Sequence, residues 1–237
     1  MRRVSCPHGK KSPRSGGTRL SKTLRLREPV SGLTHLAGAV LSALGLVALL
    51  AVSHGQTLLR VGSLAVFGAS LILLFAASAA YHLLPLSPSG TRALRRVDHI
   101  MIYILIAGTY TPLCLIPLRG PWGWSLFCAI WTLALAGIAM AIWWLHAPRW
   151  LSTTIYVIMG WLVVIAVVPL LHTVPPGGLV WLLIGGLFYT SGAVIYAIRR
   201  PNLVPGVFGF HEIWHLFVLA GALSHFWAVF RYLAMMP

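Results

Sequence analysis

His211 and His215 stand four residues apart, so on a helix their imidazoles share one face. Two such rings offer two nitrogens to one ion. A third histidine from another segment, with water in the fourth place, makes an open tetrahedral zinc site. His82 is the candidate third ligand, and Ser78 lies one turn before it on the same face. Nitrogen donors favour zinc over calcium or magnesium, which take mainly oxygen. An open position on zinc lowers the pKa of its water to about 7, which supports hydrolysis.

The acidic residues narrow the choice. The 237-residue chain has three, Glu28, Asp98 and Glu212, against 18 Lys and Arg, and each lies within a few residues of a histidine. A carboxylate in or beside a bilayer is costly and is usually kept for a task. Asp98 is the candidate general base, able to take a proton from water or to orient a histidine. Ser78 joins it as a catalytic candidate, donating to a substrate oxygen or to Asp98. Glu28 and His35 form either a structural pair or a support behind the metal ligands.

The remaining histidines carry less. His99 is read as a neighbour, and His54, His146 and His172 as interfacial. His225 lies about 15 Å beyond His215 along a helix, too far to share its ion. Cys6, Cys114 and Cys128 lack metal-ligand spacing, although a bridge between the last two is conceivable. His211-Glu212-Ile213-Trp214-His215 also spells H-E-x-x-H, which in metalloproteases supplies two zinc ligands and a glutamate base. An intramembrane protease would want a further carboxylate ligand, typically in L-D-G, and no L-D-G occurs here.

The elements that must carry these residues are apolar. Hydrophobic residues make up 58% of the chain and charged residues 9%, with a mean hydropathy of +0.85. A soluble domain carries roughly 25% charged residues. The chain is therefore expected to be an all-α membrane protein. Apolar runs of spanning length occur seven times, near 33–52, 58–84, 97–117, 122–145, 153–171, 179–198 and 211–233. They are continuous rather than alternating, which argues against a β-barrel.

Threading seven spans puts fifteen cations on one side, nine of them in the N-terminal tail, and only Arg60, Arg119 and Arg231 on the other. The positive-inside rule then predicts a seven-transmembrane-helix bundle with a cytoplasmic N-terminus and an extracytoplasmic C-terminus. Its place is the cell inner (plasma) membrane. Residues 1–27 read as a basic, disordered tail suited to anionic inner-leaflet lipids, and residues 28–237 as the transmembrane domain. Nucleic-acid binding is not supported, because the cations follow topology and no recognition motif accompanies them. In this threading Glu28 with His35, Ser78 with His82, Asp98 with His99, and His211 with His215 all gather at the cytoplasmic end. Asp98 and His99 are expected to open the third helix.

Glu28-x-x-Ser31-x-x-x-His35, Ser78-x-x-x-His82, Asp98, Gly108-Thr109-Tyr110-Thr111-Pro112 and His211-x-x-x-His215, in that order, resemble the hemolysin III family. That family belongs with the progestin and adipoQ receptors, which include the adiponectin receptors. The resemblance covers about residues 28–233. It implies seven helices with a cytoplasmic N-terminus, and zinc held by three histidines matching His82, His211 and His215. It also implies an aspartate and a serine nearby, matching Asp98 and Ser78. Relatives in the wider superfamily include ceramide-hydrolysing enzymes, so a lipid is the expected substrate or ligand. Three functions stay open: a zinc-dependent lipid amide or ester hydrolase, a non-catalytic zinc-stabilised sensor, and a literal cytolysin.

Overall fold

The computed structural model describes residues 26–144 and 147–236, the side chain of Arg149 excepted. Among these residues eight α-helices follow one another: α1 (Pro29–Val52), α2 (Leu58–Leu83), α3 (Pro88–Leu115), α4 (Pro121–Trp143), α5 (Arg149–Trp161), α6 (Val167–Thr173), α7 (Pro176–Ile198) and α8 (Phe210–Ala228). A 3-10 segment, Leu162–Ala166, joins α5 to α6, and a π-helical turn, Val229–Leu233, extends α8. Seven spans long and apolar enough to cross a membrane result, with α5 and α6 sharing one of them, Trp150–Thr173. Strand pairing among the described residues is limited to one isolated bridge, Val204 with Phe208.

Local chemistry sets the helix starts. Pro29, Pro88, Pro121 and Pro176 each stand in the first turn, where a missing N–H costs nothing. Thr57 and Ser87 cap α2 and α3 by accepting from the amides of Arg60 and Gly90. The Ser87 cap and Pro88 start α3 well before its apolar run. Arg92, Arg95 and Arg96 therefore lie within the helix rather than in a loop. Asp98 consequently does not open α3: it stands ten residues along, about 15 Å from the helix start.

The second departure from expectation is the broken fifth span. Pro169, in the first turn of α6, has no N–H to give the carbonyl of Ile165, so it fits a helix that restarts after the 3-10 segment rather than one that runs through it. Tyr110 of α3 supplies what the break leaves unpaired. Its hydroxyl lies 2.9 and 2.8 Å from the carbonyl oxygens of Met159 and Gly160, and it accepts from the amide of Val163 at 2.8 Å. A polar side chain thus replaces the lost backbone bonds, as spanning segments require.

Helices α2 and α3 carry most of the core, with Phe67, Phe75 and Tyr103 fully enclosed. The α3–α4 crossing is close: a Cβ on Gly137 would run into the Tyr103 ring, so only glycine admits this approach. The outward face of α1, including Val40, Leu44 and Val47, is exposed, as suits contact with lipid. Cys114 is buried, Cys128 is exposed, and both are free thiols, so no bridge joins them. Residues 1–25 of the basic tail, with Cys6 among them, and His146 lie outside the described residues.

Candidate metal centre

Three helices converge where α1 and α8 begin and α2 ends. The order of the spans makes this one end of the bundle, the end that also carries Arg27, Arg92, Arg95, Arg96, Arg199 and Arg200. His82, in the last turn of α2, and His215, in the second turn of α8, are buried, and His211 is half-buried. One nitrogen from each of the three lies within 4.8 Å of the others. The Nε2 atoms of His211 and His215 are 3.2 Å apart. Two nitrogens on one tetrahedral zinc must stand about 3.4 Å apart, given bonds of 2.0–2.1 Å. The donor set and its spacing therefore fit a metal ion.

The far side of two of these rings is held. His82 Nδ1 meets the Glu28 carboxylate at 2.5 Å, which leaves Nε2 to face the cluster. The backbone ties the same two residues, the Glu28 amide donating to the His82 carbonyl at 2.9 Å. The hydrogen-bonded His82 ring holds the Glu28 carboxyl below the usual carboxylate range. His215 Nδ1 lies 2.9 Å from His35 Nε2, and that atom also stands 3.3 Å from the His215 carbonyl oxygen. Glu28 and His35 thus meet His82 and His215 rather than each other. A carboxylate or polar partner behind a ligating histidine fixes its tautomer and aim.

Asp98 and Ser78 stand beside the cluster. Ser78 is buried, and Ser78, His82 and Arg95 are near enough to act on the Asp98 carboxylate. Both residues line a cavity of about 490 Å³, together with His35, His211 and His215. From this end the cavity runs between the helices past Tyr156, Gly160 and Trp161 as far as Leu170, Leu179 and His225. Its wall is mainly apolar, with Ser78, Asp98, His35, His211 and His215 at one end and further polar side chains, among them Tyr110, Thr190 and His225, along its length. His99 lines it too, as a neighbour of Asp98. His225 takes a separate place, its Nε2 3.0 Å from the Leu182 carbonyl oxygen. His54 and His172 are exposed.

Glu212 has a different employment from the H-E-x-x-H reading. One carboxylate oxygen accepts from the Gly209 amide at 2.8 Å, capping α8, and the other accepts from Ser31 at 3.3 Å. A carboxylate with both oxygens so engaged is a helix cap and a tie to α1, not a protease base. The sequence reading of Glu28 and His35, a structural pair or a support behind the ligands, did not name the residues they meet, and it gave Ser31 no partner. Tyr196, which packs against His211 and also lines the cavity, carried no sequence signal beyond a polar aromatic in an apolar run.

Fold and cluster together define a multi-pass membrane protein with a histidine site able to hold a metal ion at one end of an intramembrane cavity. The chain belongs to the haemolysin-III-related family, whose model matches residues 24–226. It is 39% identical to Hemolysin-3 of Bacillus cereus over 217 residues, 91% of this chain and 95% of that protein. It is 37% identical to the Hemolysin-3 homolog of Bacillus subtilis over 213 residues, 89% of this chain and 96% of that protein. A more distant relative is the human Monocyte to macrophage differentiation factor, 28% identical over 176 residues, 73% of this chain and 71% of that protein. In a bacterium such a multi-pass protein resides in the plasma membrane.

Proposed function

We propose that the protein is a zinc-dependent hydrolase of a lipid amide or ester, acting near the cytoplasmic face. One observation carries the reading: Asp98, Ser78, His211 and His215 line one end of a long, mainly apolar cavity. An acyl chain suits the apolar length, which would leave its carbonyl at the histidines. Zinc on His82, His211 and His215 would supply Lewis-acid polarisation of that carbonyl and acidify a water.

The chain's own residues do the rest. Asp98 takes a proton from the water as its oxygen bonds to the carbonyl carbon. Ser78 orients the Asp98 carboxylate or donates to the substrate oxygen. The carbon–nitrogen or carbon–oxygen bond then breaks, and Asp98 returns the proton to the departing amine or alkoxide. A fatty acid and an amine or alcohol result. Glu28 and His35 hold the ligating rings in register throughout.

The test is turnover of an N-acyl lipid by purified full-length protein, with metal content measured on the same preparation. Asp98→Asn keeps the shape and a hydrogen bond but cannot accept a proton at neutral pH. It is expected to retain most of the metal and to lose roughly 10²–10⁴ in rate. Intact metal with unchanged hydrolysis rules out Asp98 as the base. The three ligands also tie α2 to α8, which favours a non-catalytic, metal-stabilised protein as the second reading. That reading predicts no turnover of any acyl lipid, and a drop in thermal midpoint on metal removal.

A further inference from the structure

Glu28, Asp98 and Glu212 all lie toward the histidine end, so the opposite end has no acidic residue. Its cations are Arg60, Arg119 and Arg231. Arg60 stands in the first turn of α2 and is only 5% exposed. Its Nη1 donates to Gln56 Oε1 at 2.7 Å, but its Nε and Nη2 are buried without a hydrogen-bond partner. Arg119 is exposed, donates to the Ile116 carbonyl at 3.1 Å, and is near enough to act on Arg60 electrostatically.

Three unfavourable features therefore meet at one place. A cation sits at the positive end of a helix dipole. Two like charges act on one another with no acid at this end to offset them. A buried guanidinium keeps two nitrogens, with three N–H groups between them, unmatched, a cost that native proteins rarely leave standing. A single anion reverses the sign of all three. The α4 N-terminus nearby adds to the attraction, because Gly120 (φ 95) at its cap has no side chain to satisfy the first-turn amides.

The surroundings decide which anion. A groove of about 300 Å³ runs between the starts of α2 and α4, lined by Leu58, Leu59, Trp124, Phe127 and Trp131. It is apolar and open to the flank of the bundle, where acyl chains lie, and tryptophan favours the headgroup level. We propose that this end binds one anionic phospholipid, its phosphate between Arg60 and Arg119 and an acyl chain in the groove. The Arg60 groups are enclosed as the side chain lies, so engagement includes a rotamer change toward Arg119.

The probe is phosphatidylglycerol added to full-length protein in zwitterionic micelles, read by native mass spectrometry and thermal midpoint. One lipid is expected to stay with each chain and to raise the midpoint on the order of 5 °C. Arg60→Gln and Arg119→Gln should each weaken retention about tenfold or more, while Arg231→Gln should not, a charge-assisted contact being stronger than a neutral one. Arg119 is exposed, so its variant decides the matter even if Arg60→Gln does not fold. Equal retention of phosphatidylcholine, or retention unchanged in Arg119→Gln, overturns the proposal. A matching midpoint rise from inorganic phosphate alone also overturns it, by making the site one for a free anion.

Discussion

His82 and His215 each face the cluster with one nitrogen and a supporting residue with the other, and the two supports differ in kind. Glu28 is a half-exposed carboxylate, whereas His35 is a buried imidazole. Losing a ligand should matter more than losing a support. His215→Ala is expected to take metal content from about one ion per chain to a small fraction, since no spare ligand remains. Glu28→Gln keeps a hydrogen-bonding group but loses the charge that steadies the imidazole, and metal affinity should fall about 10–100-fold. Metal analysis of the two variants, with a competing chelator, checks both. Undiminished metal in His215→Ala would remove the three-histidine assignment. The i and i+4 spacing made the α8 pair legible in the sequence, and rarity made the acids legible. What pairing each acid had was not legible: Glu28 reaches a ring 54 positions away, and Glu212 turned out to be spoken for by Gly209 and Ser31.

The fifth span is where an element departs furthest from its sequence. Residues 153–171 read as an unbroken apolar run, since a 3-10 segment of Leu, Val, Ile and Ala carries no compositional mark. Pro169 is the local hint, but the hydroxyl that makes the break tolerable comes from Tyr110 on another helix. Tyr110→Phe preserves the ring and strips the hydroxyl, leaving the Val163 amide unmatched in an apolar setting. A cost of about 1–3 kcal/mol follows, read as a midpoint lower by several degrees. A Tyr110→Phe protein with an unchanged midpoint would mean that water or a neighbouring carbonyl does this work instead. Helix α3 misled for the opposite reason: its first turns are cationic, so the apolar run began late although the helix did not.

Seven spans would put the two ends of the bundle on opposite sides of a membrane, and the number of spans was readable from hydropathy alone. Which side is which rests on fifteen cations against three. A reporter that works only in the cytoplasm, fused after Pro237, is expected to stay silent, and one that works only after export to report. Strong cytoplasmic signal from the C-terminal fusion would invert the bundle and move the histidines to the outer face.

Glu28 and His35 come from the first span, His82 from the second and His211 with His215 from the last, so the cluster joins the beginning of the chain to its end. During synthesis the early helices leave the ribosome long before Phe210, and for that interval they expose half a cluster. Nothing can chelate tightly until the final segment has been delivered to the membrane and turned the right way. Metal uptake would then act as a completion signal for biogenesis, separating finished molecules from arrested ones. Chains arrested on the ribosome before His211 emerges should bind no stoichiometric metal, and full-length chains should bind it at once. Tight binding by the arrested form would end this account of assembly.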